Sequence, residues 1–343
     1  MGWAGLSVSA VTSDQVAEWS VEAMTAAYYD IFNGDADGIC ALHQLRLAEP
    51  REATLITGVK RDIRLLDRVA EVRGAELTVL DISMDSNRTA LLQLLESCRV
   101  FYVDHHYAGE LPPSPNLIAH LDPSPEICTS LIVDALLGGR FRGWAVAAAF
   151  GDNLHASARK AAAALALTES QAERLRELGE LMNYNGYGRE VADLHVPPQA
   201  LYAAIKPYAD PLIFCEEAQV LALLRQGFAD DLRRARAVKP LRETEHGRIF
   251  IFPAEKWASR IAGIFSNEKA RERMDAAHAL LVDNGDGSYM VSVRAPLARR
   301  GGADSLCRAF PTGGGREAAA GINALPAGQV EEFFMKFLEV FNP

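Results

Sequence analysis

The chain has no apolar run of about 18 residues, so nothing in it reads as a membrane-spanning helix. It also lacks an excess of basic charge: 35 Lys and Arg stand against 45 Asp and Glu, a formal net charge of −10. That balance argues against a broad basic surface for gripping duplex nucleic acid, but not against a small anionic substrate held in a local pocket. Cysteine is sparse. Cys40, Cys98, Cys128, Cys215 and Cys307 are odd in number and show no paired metal spacing. Reduced thiols in a cytoplasmic setting are the default expectation. The N-terminal MGWAGLSVSAVTSDQ lacks a basic region followed by a long apolar stretch, so no secretory signal is expected. Nothing repeats at a fixed period. Aromatics make up 8 % and apolar residues 49 %, the composition of an ordinary globular chain. Its 343 residues allow one to three domains and a sizeable core.

What is present is a set of apolar runs that end in carboxylates. Val100, Phe101, Tyr102 and Val103 read as a buried strand that runs straight into Asp104, His105 and His106. Charged and imidazole groups at the end of a buried strand are costly unless something binds them. Two other strands end alike. Tyr28 to Phe32 leads into Asn33-Gly34-Asp35-Ala36-Asp37-Gly38, and Glu76 to Leu80 leads into Asp81. In an extended segment the spacing of Asp35 and Asp37 puts both carboxylates on one face. A fourth candidate, Phe150-Gly151-Asp152-Asn153, follows an alanine-rich helical run. In open α/β sheets ligands sit at the carboxyl ends of the strands. Four carboxylate sites with His105 make an oxygen-rich, nitrogen-containing pocket, suited to Mn²⁺ or a similar divalent ion rather than to thiolate-bound zinc.

Around these motifs strand and helix alternate, which calls for a parallel sheet with helices on its faces. Strands are expected at 53–58 and 117–121. Helices are expected from Arg61 to Val72, Asn87 to Cys98, Ala158 to Met182 and Glu216 to Arg236, with a short one over Val16 to Ala27. Thr129 and Ser130 open a further helix. Their hydroxyls can cap it, and its free N–H groups can receive phosphate. Beyond Pro240, strands at 248–252, 278–283 and 288–296 flank a helix from Glu255 to Ala270, with a hairpin at Asn284-Gly285-Asp286-Gly287. Arg294 stands out inside a strand pattern, and Arg316 because it follows Gly313, Gly314 and Gly315. Consecutive glycines let a backbone approach a ligand and expose N–H groups to anions.

NGDADG, the VLD ending at Asp81, VDHH and FGDN resemble, in order and spacing, the four motifs of the DHH phosphoesterase family; GGGREAAAG resembles the GGGH of its associated C-terminal domain. The match runs over residues 28–343 and rests on five motifs. It implies an α/β architecture: an N-terminal parallel-sheet DHH domain, a smaller C-terminal α/β domain and an active site in the cleft between them. The implied borders are an extension at 1–27, a catalytic domain at 28–215, a linker helix at 216–240 and a substrate-binding domain at 241–343.

The resemblance implies a metal-dependent hydrolase of phosphodiesters or phosphoanhydrides. Two divalent ions about 3.5–4 Å apart can supply a nucleophile and neutralise phosphate charge. Mn²⁺ is the expected ion, with Mg²⁺ or Co²⁺ as alternatives. Asp81 is implied as the bridge, Asp35 as its partner on one ion, and Asp37, His105 and Asp152 on the other. Asp104 is implied to orient the site, and His106 to serve as phosphate ligand or proton donor. Arg294, Gly313, Gly314, Gly315 and Arg316 are implied to hold substrate. Two departures stand out: Ile31 where many members place a metal-binding histidine, with Asn33 as a partial replacement, and Arg316 in place of the histidine after the glycines. The expected substrate is a short oligonucleotide, a dinucleotide or a phosphorylated nucleotide, with Phe310 the one aromatic near the glycines for stacking. A polyphosphate hydrolase and a decayed, non-enzymatic nucleic-acid-binding scaffold are the alternatives. No membrane partner is expected, and monomer and homodimer both remain open.

Overall fold

The computed structural model describes residues 27–341. The short helix expected over Val16 to Ala27 lies outside them except for its last residue. By their contacts the residues divide into two units. The first holds residues up to Gly58, Asp62–Glu180 and Tyr202–Glu217; the second holds Val59–Arg61, Leu181–Leu201 and the chain from Ala218.

The first unit is built on a sheet of five strands, all parallel: β1 (Tyr28–Phe32), β2 (Thr54–Thr57), β3 (Glu76–Leu80), β4 (Arg99–Asp104) and β5 (Leu117–Leu121). Their order is β2-β1-β3-β4-β5. Every residue of β3 is buried, as expected for a central strand covered on both faces. Ile31, Leu77, Val79, Val100 and Tyr102 enter one core cluster with Leu91 and Leu94 of the Arg88–Leu95 helix. The Ala36–Ala48, Thr129–Leu136 and Arg142–Gly151 helices pack on one another. β1, β3 and β4 are adjacent, and strands in a sheet lie about 4.8 Å apart. Their carboxyl ends, where the motifs begin, are therefore neighbours. The ladder extends past the strands: Asn33 N–H donates to Leu80 O at 3.2 Å, and Asp81 N–H to Val103 O at 3.1 Å.

Two expected helices differ. The stretch from Arg61 to Val72 forms only a 3₁₀ turn, Leu65–Val69. The Asn87 side chain takes its backbone groups instead, accepting from Leu66 N–H at 3.2 Å and donating to Ile63 O at 2.6 Å. Such side-chain bonds compete with a helical ladder. The expected helix from Ala158 to Met182 is two, His155–Ala164 and Glu169–Gly186. Ala166 turns left-handed at φ 51° between them, and Thr168 and Gln171 form a reciprocal cap at 2.9 and 3.3 Å.

The second unit carries a mixed six-stranded sheet. Its strands are β6 (Arg242–Glu243), β7 (Gly247–Phe252), β8 (Ala277–Asp283), β9 (Ser288–Arg294), β10 (Gly313–Arg316) and β11 (Ala319–Pro326), in the order β10-β11-β9-β8-β7-β6. Only β7 and β8 pair in parallel. Side chains alternate across the sheet. Ala279 and Leu281 face Phe333 and Phe337 of the Val330–Phe341 helix, whereas Leu280 and Val282 join Trp257, Ile261 and Phe265 of the Lys256–Glu272 helix. The expected hairpin joins β8 to β9, with Gly285 and Gly287 at positive φ. The segment expected as a linker contains the Gln219–Ala237 helix, and Phe228, Leu232 and Ala235 pack into the second of these clusters. All five cysteines are unpaired, and no helix among the described residues is long and apolar enough to cross a membrane.

Candidate metal centre

Asp35 and Asp37 do not lie along an extended strand as their spacing suggests. The chain turns at Asn33-Gly34, and Asp35 is the N-cap of the Ala36–Ala48 helix: its Oδ1 accepts from the N–H groups of Asp37 and Gly38 at 3.0 and 3.1 Å. Residues two apart on a helix point in different directions. Gly38 is required here, since a Cβ would lie 2.2 Å from Asn33 O. Asp37, fully buried, faces the Thr129–Leu136 helix instead. It accepts from Thr129 N–H through Oδ2 and from Ser130 N–H through Oδ1, both at 2.7 Å. The expected phosphate-binding N–H groups at that helix start are therefore already engaged by Asp37. Thr129 Oγ1 donates to Asp81 Oδ1 at 3.4 Å, and Ser130 Oγ to Asp37 O at 2.9 Å.

Asp81 leaves β3 in the left-handed region, φ 58°, which an aspartate tolerates better than most residues. Its carboxylate is 2 % exposed. Burial, then the charges of Asp35, Asp37, Asp152 and Asp104, push its pKa well up. His105 Nε2 lies 3.5 Å from Asp81 Oδ1 and 3.6 Å from Asp152 Oδ2. Ligand atoms of Asp81, His105 and His106 lie within 4.8 Å of one another, as do those of Asp37, His105 and Asp152. Asp35 stands outside both groups, but after burial its charge acts most strongly on Asp81. Asp104 Oδ1 accepts from His106 Nδ1 at 2.7 Å, which raises the His106 pKa and leaves its Nε2 free of that bond. Asp104 is fully buried, and its Oδ2 has no hydrogen-bond partner among the described residues.

This donor set fits divalent cations. Several buried carboxylates repel one another, two imidazoles stand among them, and no thiolate belongs to either group. Ile31, in the place of an expected histidine, is fully buried in the apolar cluster of the sheet. If the fit is correct, excess Mn²⁺ raises the melting temperature. Ligand at a hundredfold over Kd stabilises by about 2.7 kcal/mol, roughly 5–10 °C in a domain of this size. A melting point unmoved by Mn²⁺ in a chelator-treated sample contradicts the fit.

The second unit holds a different set. Arg294 Nε donates to Asn267 Oδ1 at 2.8 Å, and Nη1 to Ser292 Oγ at 2.9 Å. Arg61 reaches the Met290 sulfur and lines a cavity of about 120 Å³ with Tyr187, Arg189, Asn284 and Asn323. Neither Arg61 nor Arg294 has an ion pair among the described residues. Protein crowding lowers both pKa values, and the Tyr187 hydroxyl is the one group acting to raise either. Guanidiniums crowded by protein without a carboxylate make an anion-binding environment. Sequence reasoning singled out Arg294 but missed Arg61 and Tyr187, because a lone arginine in Lys60-Arg61-Asp62 reads as a solvated surface.

The glycines carry packing as well as access. A Cβ at Gly313 would lie 1.7 Å from Cys307 O, and Gly315, at φ +136°, would meet Ala320 at 2.5 Å. Only Gly314 faces open space. These residues form the edge strand β10, with Arg316 exposed and in no ion pair among the described residues. Phe310, expected as a stacking surface, is 3 % exposed and belongs to the core.

No family model matches the chain. No curated protein matches its sequence. Solved structures do. A member of the s1p family of ribosomal proteins with a DHH domain matches at TM-score 0.62 and 13 % identity, over 92 % of this chain and 86 % of that one. Exonuclease RecJ bound to manganese matches at TM-score 0.60 and 15 % identity, over 91 % and 89 %. A pGpG-specific phosphodiesterase, PggH from Vibrio cholerae, matches at 0.54 and 11 %, over 91 % and 98 %. The five-stranded parallel sheet of the first unit and the mixed sheet of the second match the fold of these DHH-domain proteins.

Proposed function

We propose that this chain is a divalent-metal-dependent phosphoesterase acting on short oligonucleotides, dinucleotides or phosphorylated nucleotides. The observation that carries the reading is the convergence of Asp81 and His105, which follow two adjacent parallel strands, with Asp37 from the first turn of the Ala36–Ala48 helix and Asp152 at the end of the Arg142–Gly151 helix. The kinship of fold with a manganese-bound exonuclease and a pGpG-specific phosphodiesterase supports it. Asp35, Asp37, Asp81, His105 and Asp152 would hold two ions, Mn²⁺ in the first place and Mg²⁺ or Co²⁺ as alternatives. Bound there, such ions neutralise phosphoryl charge and make water nucleophilic near neutral pH. Asp104 holds the His106 ring by its Nδ1. His106 Nε2 is then the group to deliver a proton to the leaving oxygen.

Arg294, with Arg61 and Tyr187, would bind a phosphate group, and exposed Arg316 with Gly314 would add a weaker contact. Arg294→Ala is expected to raise KM about ten- to hundredfold with little change in kcat, since a charge-assisted contact of about 1.5–3 kcal/mol is made to substrate and transition state alike. Arg316→Ala should have the smaller effect. Steady-state kinetics of the two variants on one substrate check this. An Arg294→Ala loss confined to kcat contradicts the assignment.

The function itself is tested by a hydrolysis panel with Mn²⁺: dinucleotides, cyclic dinucleotides, short RNA and DNA, 3′-phosphoadenosine 5′-phosphate and polyphosphate. Metal-dependent cleavage of a nucleotide substrate is expected. Cleavage of polyphosphate alone, or cleavage unaffected by a chelator, overturns the reading.

A further inference from the structure

Tyr107 directly follows His106 in the chain and is 74 % exposed. Large apolar residues normally gain by being buried, and a ring left in water contributes little to folding. Met335 comes next among the exposed large apolar side chains at 67 %, and it lies in the unit that lacks the carboxylate cluster.

The backbone beneath the ring is held. Ser83 Oγ donates to Tyr107 O at 3.2 Å, and Arg88 Nη2 donates to Ala108 O at 2.8 Å. Gly109 then turns at φ +67°, and a Cβ there would lie 2.6 Å from the same Arg88 group. Ser83 and Arg88 follow Asp81 closely in sequence, so the segment after Asp81 fixes the segment after His106. Inside this frame the His105 and His106 rings lie 4.4 Å apart, with His106 Nδ1 at 2.7 Å from Asp104. The result is an exposed aromatic ring on an anchored loop, one peptide bond from a residue of the carboxylate–imidazole cluster.

We infer that Tyr107 is a stacking platform for a nucleobase and therefore a specificity-determining residue, which selects substrates that carry a base over base-free phosphoesters and polyphosphate. The inference rests on the phosphoesterase reading for the reaction, but stacking has its own signature in binding. An aromatic ring stacks on any base through its π face, so the preference should be for having a base, not for one base identity. A backbone already held in place also needs little ordering on binding.

The test is calorimetric binding of a nucleoside 5′-monophosphate and of ribose 5-phosphate to the full chain with Mn²⁺, for wild type, Tyr107→Ala, Tyr107→Phe and Tyr107→Trp. The wild type should bind the nucleotide roughly ten- to hundredfold more tightly than the base-free sugar phosphate, the range expected for one stacked base. Tyr107→Ala should erase that difference and leave ribose 5-phosphate binding unchanged, whereas Phe and Trp should keep it. Equal binding of the two ligands to wild type, or an Ala variant that retains the difference, overturns the inference. So does an Ala variant that loses both ligands equally. If the difference holds while the hydrolysis panel shows no metal-dependent cleavage, the reaction reading falls and the stacking assignment stands.

Discussion

Asp81→Asn is expected to reduce hydrolysis by about a thousandfold or more while the protein stays folded. Metal assistance supplies several kcal/mol of charge stabilisation, and about 4 kcal/mol corresponds to three orders of magnitude. Asp81 is the residue on which the neighbouring charges converge: Asp35, Asp37, Asp152 and Asp104 all act on it, and His105 Nε2 stands 3.5 Å away. Asparagine keeps the shape but loses the charge. The stability prediction has the opposite sign to the activity prediction. A carboxyl whose folded pKa is raised above its unfolded value of about 3.8 loses stability as pH rises through the folded pKa. At neutral pH without metal, Asp81→Asn should therefore melt at or above the wild-type temperature, and it should lose most of the Mn²⁺-induced rise. Thermal melts with chelator and with Mn²⁺, beside turnover on one substrate, check both halves. A variant that is both inactive and strongly destabilised without metal would mean that Asp81 serves the fold rather than the site.

His106→Ala should lower kcat by about 10²–10⁴-fold on a substrate with a poor leaving group, the usual range for general acid catalysis. The loss should shrink on a p-nitrophenyl ester, whose leaving group needs no proton. The pH profile gives a second handle. The bond to Asp104 raises the His106 pKa from its ordinary 6.5. The protonated ring is thus present below the raised value and is lost as pH rises through it. Stability follows the same sign: the pair contributes fully below about 6.5, and the contribution fades as pH rises through the folded pKa. Asp104→Asn removes the carboxylate, so the alkaline limb of kcat should move to lower pH. An alkaline limb that stays in place in Asp104→Asn, together with equal His106→Ala losses on both leaving groups, would show that His106 does not donate the proton.

The motif positions were legible because each lies where an apolar run stops and polar residues begin: Leu80 to Asp81, Val103 to Asp104, Phe150-Gly151 to Asp152. The period of the pattern marks the strand or helix, and the burial cost of a carboxylate marks its end as a site. The pairing of Asp37 with Thr129 and Ser130 was not legible, since it joins residues about ninety positions apart. Arg61 was hidden for a related reason, as only the fold brings it beside Met290. The break at Ala166 has no glycine or proline to announce it. Strands β10 and β11 escaped because Gly313–Gly315 and Ala318–Gly321 have little β-propensity, and it is pairing that makes them strands. Phe310, the aromatic beside the glycines, is in the core, and Tyr107, which the sequence reading passed over, is in solvent beside the histidines.

The central claim is that Asp37, Asp81, His105 and Asp152 form a divalent-metal centre. Its most direct test is anomalous diffraction at the manganese edge from crystals of the full chain grown with MnCl₂. The account predicts density within coordinating distance of Asp81 and His105, shared with Asp37 or Asp152, and absent from Asp81→Asn crystals treated alike. Manganese found only at other residues, or none at this cluster in well-diffracting crystals, would contradict it.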